Sequence, residues 1–421
     1  MARPPSSALA VGDIVRKSSL CQSALLGLSR ATPGQKEVPV NFELGEAQRQ
    51  LADSVRKLMA RYATRDYIRE LDREARYPLE LYGAWVEAGL LALPFPEEVG
   101  GLDGTPLDLA VLAEAMSESG FDFFTAYAAS VFCGLNILHN GTPDQRGRIV
   151  PRIISGEQRM AICVSEPDAG SDAAAMRTTA HWDGEAWRLD GCKLWSTGAG
   201  APDTLLNVYA RSAAGVGTRD AVSLFLVPND APGVTLRKLD MLGRRCTGTY
   251  EITFDDVRVP PADLVGEPHK GWSYLLSGLQ LERLCSAAGY CGSSKAVLDM
   301  AVGYAQERRQ FGRPIGTNQA IAHQLADTRV ELEAARLLTY RAAWALGRGD
   351  ALAEITMAKL FGSEAYVRAT NVGMQVMGAY GYSMEFDMQR HFRDARSTTV
   401  GAGTSEMQRN LLAGLMGLKV G

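Results

Sequence analysis

The stretch Arg159-Met-Ala-Ile-Cys-Val-Ser-Glu-Pro-Asp-Ala-Gly-Ser-Asp172 is where the chain changes period. Before it, Leu51, Val55, Leu58, Met59 and Tyr62 fall on one helical face, with charged residues in the other positions. Pro94-Phe-Pro-Glu-Glu-Val-Gly-Gly-Leu-Asp-Gly104 interrupts with turn formers, and helical patterns resume over 107–157. After it come short β-prone runs at 160–164, 186–189, 205–210, 221–227, 233–236 and 250–254, set apart by turns such as Asp183-Gly184 and Asp190-Gly191. Six strands with no helices between them predict an antiparallel barrel or sandwich and argue against βαβ units. From Gly271 the pattern is helical to the end. In that region Met357, Phe361, Ala365, Ala369, Val372 and Val376 form one apolar stripe, as in an antiparallel bundle. The expected fold is therefore α+β and multidomain. A leader spans 1–38, a helical domain 39–158, a β domain 159–268 and a four-helix bundle 269–421.

A length of 421 residues suits two or three domains, and 46% hydrophobic with 22% charged residues describes an ordinary globular chain. The net charge of −4 gives no electrostatic case for a nucleic-acid partner, and no polybasic tract points to a membrane surface. No apolar run approaches the roughly 18–20 residues of a spanning helix. The seven cysteines, Cys21, Cys133, Cys163, Cys192, Cys246, Cys285 and Cys291, include no CxxC pair, which argues against a disulfide framework or structural zinc and for a reducing compartment. The five histidines show no HxxxH or HExxH spacing, so no metal site is expected. Residues 1–38 carry Arg3, Arg16, Lys17, Arg30 and Lys36 against Asp13 and Glu37. They read as a disordered leader or an upstream start codon, with a cytoplasmic protein expected, or as an organellar transit segment, with the mitochondrial matrix as the alternative.

The chain contains no GxGxxG, no GxxxxGK[ST] and no GxSxG, which argues against Rossmann, P-loop and serine-hydrolase chemistry. Other stretches stand out. Ile162–Asp172 runs from a strand into a loop bearing Ser165 and Ser171. Lys193-Leu-Trp-Ser-Thr-Gly198 offers a flat aromatic surface and a hydroxyl two residues apart, and Glu307-Arg-Arg-Gln-Phe-Gly-Arg-Pro314 is a cationic break between helices. Near the end, His391-Phe-Arg-Asp-Ala-Arg396 precedes Val400-Gly-Ala-Gly-Thr-Ser-Glu-Met-Gln-Arg-Asn410, a bare loop opening a helix. Ser405 is placed to cap that helix, Gln408 to reach back, and Leu411, Leu412 and Leu415 to give it an apolar face. Taken singly, these stretches are equally well read as a satisfied turn, a core tryptophan and a solvated charge run.

As an ordered set, the motifs resemble the acyl-CoA dehydrogenase family of flavoproteins over nearly the whole chain, from about Phe42 to Leu418. The resemblance implies FAD as cofactor. Its ring would lie against the β domain beside Trp195, with Val164, Ser165 and Thr197 at its polar edge. Arg308 would match the pyrophosphate. Phe311 and Gln310 would line the adenosine portion across a subunit interface, and Gln319, Gln375 and Gly378 of a neighbouring subunit would meet the ADP half. Thr404 and Glu406 would also meet FAD, and Ser171 would face the pantetheine arm of the thioester. The implied reaction takes a proton from Cα and a hydride from Cβ of an acyl thioester, the hydride passing to flavin N5. Electrons would leave to an electron-transfer flavoprotein from a homotetramer or homodimer.

This reaction needs a carboxylate over Cα and donors at the thioester oxygen. Most family members place Glu before the Gly-Thr of the C-terminal loop, but here that position is Ala402. Leu279-Gln-Leu-Glu-Arg-Leu284 matches the minority pattern, isovaleryl-CoA dehydrogenase among them, in which the base lies on a helix. Glu282 would be that base and Arg283 a residue beside the substrate. Ser286-Ala-Ala-Gly-Tyr-Cys-Gly292, which follows, is small enough for close approach of a ligand or helix. The plainer reading gives Glu282 a surface ion pair. Other readings keep the fold: an enoyl-thioester reductase resembling crotonobetainyl-CoA reductase, an enzyme for carrier-protein-bound acyl groups, or a flavin-binding protein without catalysis.

Overall fold

The computed structural model describes residues 43–120 and 124–419, so the leader expected at 1–38 lies outside the described residues. The first region is helical: α1 (Glu46–Tyr62), α2 (Arg65–Glu74), α3 (Leu79–Glu87), α4 (Pro106–Ser117), α5 (Phe124–Asn140) and α6 (Pro143–Ile154). Thr105 and Thr142 open α4 and α6 with proline in the first turn, and each closes a capping box with Asp108 or Gln145. On α1, Val55 and Met59 of the predicted stripe are buried, joined by Ala52, while Leu51, Leu58 and Tyr62 are half-buried.

The middle region holds β1 (Arg159–Cys163), β2 (Thr179–Trp182), β3 (Trp187–Thr197), β4 (Thr204–Arg211), β5 (Val222–Pro228), β6 (Val234–Leu239) and β7 (Thr249–Val259). They form one sheet in the order β1-β4-β2-β3-β7-β6, with β5 paired to β4. The antiparallel expectation needs correcting here. β1 runs parallel to β4 from Arg159 opposite Thr204 to Cys163 opposite Val208, and β2 touches β4 in parallel at Thr179 and Arg211. The long connection after β1, which contains the β2–β3 hairpin, lets β4 return beside β1 in the same direction. β2 was not foreseen, being only four residues long, and β3 runs on through Lys193-Leu-Trp-Ser-Thr197.

The last region comprises α7 (Gly271–Glu307), a small hairpin of β8 (Arg309–Gln310) and β9 (Arg313–Pro314), α8 (Gln319–Leu346), α9 (Leu352–Met377), α10 (Ala379–Tyr382), α11 (Met388–Thr398) and α12 (Ser405–Leu415). The three long helices α7, α8 and α9 pack on one another, and α11 and α12 lie on α9. Helix α4 is buried throughout Leu109–Ser117 because α1 flanks it on one side and α7 and α8 on the other. The small residues of α7 serve this crossing: a Cβ added at Gly292 would sit 2.1 Å from the Glu114 carbonyl oxygen. On α9 the buried face is more polar than the predicted stripe, since Thr356, Lys359, Ser363 and Thr370 join Ala365, Ala369 and Val376 inside, while Met357, Phe361 and Val372 are half-buried.

Candidate active site

At one edge of the sheet, two segments are stitched together. Leu194 donates its N–H to Ser165 O at 2.8 Å. The fully buried Lys193 donates from Nζ to Val164 O at 3.0 Å and to Glu166 Oε1 at 2.8 Å. Glu166 also accepts the N–H groups of Arg177, at 2.5 Å, and Thr178, at 3.0 Å. Burial alone would raise the Glu166 carboxyl, but the Lys193 charge and these donors hold it below its ordinary range. The pair thus sets where Val164 and Ser165 sit relative to β3. There the β3–β7 register slips between Lys193 and Ser196, and Trp195 takes φ 65°. Such an irregularity re-aims a side chain. It leaves the indole 55% exposed, an unusual fraction for tryptophan, while Thr197 beside it is half-buried. Ser171 is exposed on the loop that follows β1.

Glu282 and Arg283 lie on α7. Part of the Glu282 side chain remains accessible, yet it is enclosed deeply enough that burial pushes its carboxyl up, with Arg283 opposing. The buried Cys133, Tyr209 and Cys285 lie within range of its charge. Among the described residues the carboxylate has no hydrogen-bond partner, so it is not the surface ion pair of the plainer reading. Arg283 donates from Nε to Ala402 O at 3.1 Å. Ala402 and Gly403 both have positive φ, 53° and 88°, which turns the backbone tightly ahead of α12.

The cap of α12 is Thr404, whose Oγ1 accepts the Met407 N–H at 3.1 Å, and not Ser405 as the sequence pattern predicted. Glu406 is exposed in the first turn, its carboxyl held low by its own N–H and the Thr404 hydroxyl. The predicted apolar face of α12 is only partly covered: Leu411 and Leu412 are half-buried and Leu415 is exposed.

The remaining predicted residues gather elsewhere. Arg308, Gln310, Phe311, Gln319, Gln375 and Gly378 are all exposed at the far end of the bundle, where the Arg308 guanidinium lies 5.5 Å from the centre of the Tyr380 ring. Phe311, at the tip of the β8–β9 hairpin, is 99% exposed with φ 51°. Arg308 directly follows α7, so along a helix rising 1.5 Å per residue it stands about 39 Å from Glu282, farther than one extended FAD reaches. One chain thus brings Val164, Ser165, Trp195 and Thr197 together at the sheet edge and Glu282 and Arg283 to the Ala402 loop, and it keeps the Arg308 group apart from both.

The chemistry of these donors fits a flavin dinucleotide: an exposed indole beside hydroxyl and backbone groups, and separately an exposed arginine with an exposed aromatic ring. Three groups were not singled out from sequence. Lys193 lay inside a motif noted for its tryptophan, Glu166 inside one noted for its serines, and Lys359 was passed over within the apolar stripe of α9. The signal in each case was a charged residue amid residues otherwise suited to burial.

The comparisons with known proteins agree with this architecture. The N-terminal, middle and C-terminal domain models of acyl-CoA dehydrogenase match residues 45–157, 161–257 and 269–416. The chain belongs to the acyl-CoA dehydrogenase family of FAD-dependent flavoprotein oxidoreductases, which act on a CH–CH bond. It is 38% identical to the mitochondrial short-chain specific acyl-CoA dehydrogenase of Bos taurus over 82% of this chain and 84% of that one. It is 35% identical to the probable acyl-CoA dehydrogenase YngJ of Bacillus subtilis over 89% of this chain and 99% of that one. A solved glutaryl-coenzyme A dehydrogenase in complex with glutaryl-CoA superimposes with a TM-score of 0.85 at 31% identity, covering 90% of this chain and 98% of that one. No helix among the described residues is long and apolar enough to cross a membrane.

Proposed function

We propose that this chain dehydrogenates an acyl-CoA between Cα and Cβ with Glu282 as the general base, in the helix-borne arrangement typified by isovaleryl-CoA dehydrogenase. One observation carries the reading: an enclosed carboxylate without a hydrogen-bond partner stands one residue from Arg283, which holds the very loop where Ala402 replaces the family's usual acid. A carboxyl raised by burial is a better proton acceptor for a weak carbon acid than an exposed one. FAD supplies the hydride acceptor.

Each residue then has a task. Glu282 takes the Cα proton onto a carboxylate oxygen, while Arg283 keeps the Ala402 loop beside it. Val164, Ser165, Trp195 and Thr197 cradle the ring, Thr404 and Glu406 meet the cofactor from α12, and Ser171 lies along the path of the pantetheine arm. Arg308, Gln310, Phe311, Gln319, Gln375 and Gly378 act on the cofactor of a second copy, in a homodimer or homotetramer, because α7 carries them beyond reach of their own. An electron-transfer flavoprotein takes the electrons. The test is anaerobic bleaching of the bound flavin by short, branched, aromatic and amino-acyl thioesters. Bleaching by at least one thioester that is lost in Glu282→Gln supports the proposal, and full activity in that variant removes Glu282 from the mechanism.

A further inference from the structure

The loop 399–404 has no ionisable side chain, yet donors from three helices converge on its carbonyls. Arg283 of α7 holds Ala402 O. Lys359 of α9 holds Gly403 O at 2.6 Å and Thr398 O at 3.2 Å. Gln408 of α12 holds Gly403 O at 3.2 Å. Lys359 is 0% exposed, among the buried Ile355, Ala358, Gly362 and Ser363. Burial, Arg283 and Arg244 lower its amine to about 8. A methionine would fill that space without the cost of desolvating an ammonium group, so packing alone does not account for a lysine.

The geometry of the peptide does. A trans peptide unit is planar, and its C=O and N–H point in opposite directions. Fixing the Ala402 carbonyl therefore fixes the direction of the Gly403 N–H, and fixing the Gly403 carbonyl fixes that of the Thr404 N–H. Among the described residues the N–H groups of Ala402, Gly403 and Thr404 have no hydrogen-bond partner. With the carbonyls drawn into the bundle, the Gly403 and Thr404 N–H groups are turned the other way, and their orientation is set by the side chains of Arg283, Lys359 and Gln408.

We infer that Lys359 is a positioning residue for the reaction: through the Gly403 carbonyl, and jointly with Gln408, it aims the Thr404 N–H at the bound thioester and cofactor, as Arg283 aims the Gly403 N–H through the Ala402 carbonyl. This rests on the functional reading above. The inference predicts a loss in turnover without a matching loss in substrate binding, because donors that must already point the right way act at the transition state.

The experiment uses the FAD-loaded protein and compares Lys359→Met, Gln408→Leu and the double variant by kcat, KM and hydrogen exchange of the peptide covering 398–405. In Lys359→Met, loop exchange should quicken and kcat fall roughly tenfold, the worth of about one hydrogen bond, with KM nearly unchanged. The double variant should lose less than the product of the single losses, since both side chains act on one carbonyl. A folded, flavin-loaded Lys359→Met with unaltered exchange and kcat overturns the inference. Should that variant fail to fold, Gln408→Leu decides: faster loop exchange with full kcat overturns it, and a kcat loss at constant KM supports it. If wild-type protein oxidises no thioester, the functional reading fails. The exchange measurement then still tells whether Lys359 orders the turn.

Discussion

Arg283 Nε donates to the carbonyl oxygen of Ala402 at 3.1 Å, and so ties the residue beside Glu282 to the residue where the family resemblance leads one to look for an acid. The missing carboxylate and its proposed substitute are thus mechanically connected, and the expected behaviour of variants follows from that connection.

Replacing Glu282 by Gln keeps size and removes the proposed base. Turnover should fall by about 10²–10⁴-fold, the usual range for a lost general base. The flavin should still bind, because Glu282 is not among the residues assigned to hold it. Stopped-flow flavin reduction under argon, alongside the visible spectrum of the purified variant, separates the two effects.

The same substitution should raise stability, but only on the alkaline side. A carboxyl whose folded pKa is raised contributes stability that is full below its unfolded pKa and is lost as pH rises through the folded value. Glutamine has no charge to bury, so Glu282→Gln should melt higher than the parent at pH 8 and show no such advantage at pH 4. Thermal melts of the two proteins across that range check the sign, and a lower Tm at pH 8 would show that the carboxylate is not strained by burial.

Breaking the buried pair in the β domain should be costly. Lys193→Met leaves Glu166 charged and enclosed, a loss on the order of 3–5 kcal/mol, whereas adding Glu166→Gln should recover a large part of it. Urea unfolding of the single and double variants measures both, and an additive double variant would contradict direct coupling.

Arg308 and Glu282 should complement each other between chains. On the proposed reading, Arg308→Ala removes a charge-assisted contact to the cofactor worth about 1.5–3 kcal/mol and should weaken FAD retention. Mixing Arg308→Ala chains with Glu282→Gln chains, after dissociation and reassociation, should give more activity than either variant alone, since one composite site then holds both native residues. No recovery in demonstrably mixed oligomers would place Arg308 outside the partner's site.

Gly292→Ala should cost about 1–3 kcal/mol by overpacking, because its Cβ would press on the Glu114 main chain 2.1 Å away. Gly303, with nothing within 4 Å of an added Cβ, is the control that should tolerate alanine.

The α–β–α order was legible because the hydrophobic period switches at Arg159 and again near Gly271, and periodicity is a local property. The parallel β1–β4 pairing was not legible, since it depends on which distant segment returns beside β1, and no residue in either strand encodes a partner. The same limit explains Lys359. A lysine in a helix is ordinarily solvated, and only the tertiary arrangement of α7, α9 and α12 shows that carbonyls from another segment await it. The cap at Thr404 differed by one residue from the pattern-based expectation because Thr404, in extended conformation, turns its own hydroxyl onto the Met407 N–H while Ser405 is already helical.

Helix α7 acts as a ruler. One unbroken rod of 37 residues carries Glu282 in its first half and delivers Arg308 at its tip. Deleting a single residue between these marks would swing one end by about 100° relative to the other and shorten the span by about 1.5 Å. On the proposed reading, in which Arg308 serves the cofactor of a second copy, any insertion or deletion along this rod would misplace one end's task relative to the other's.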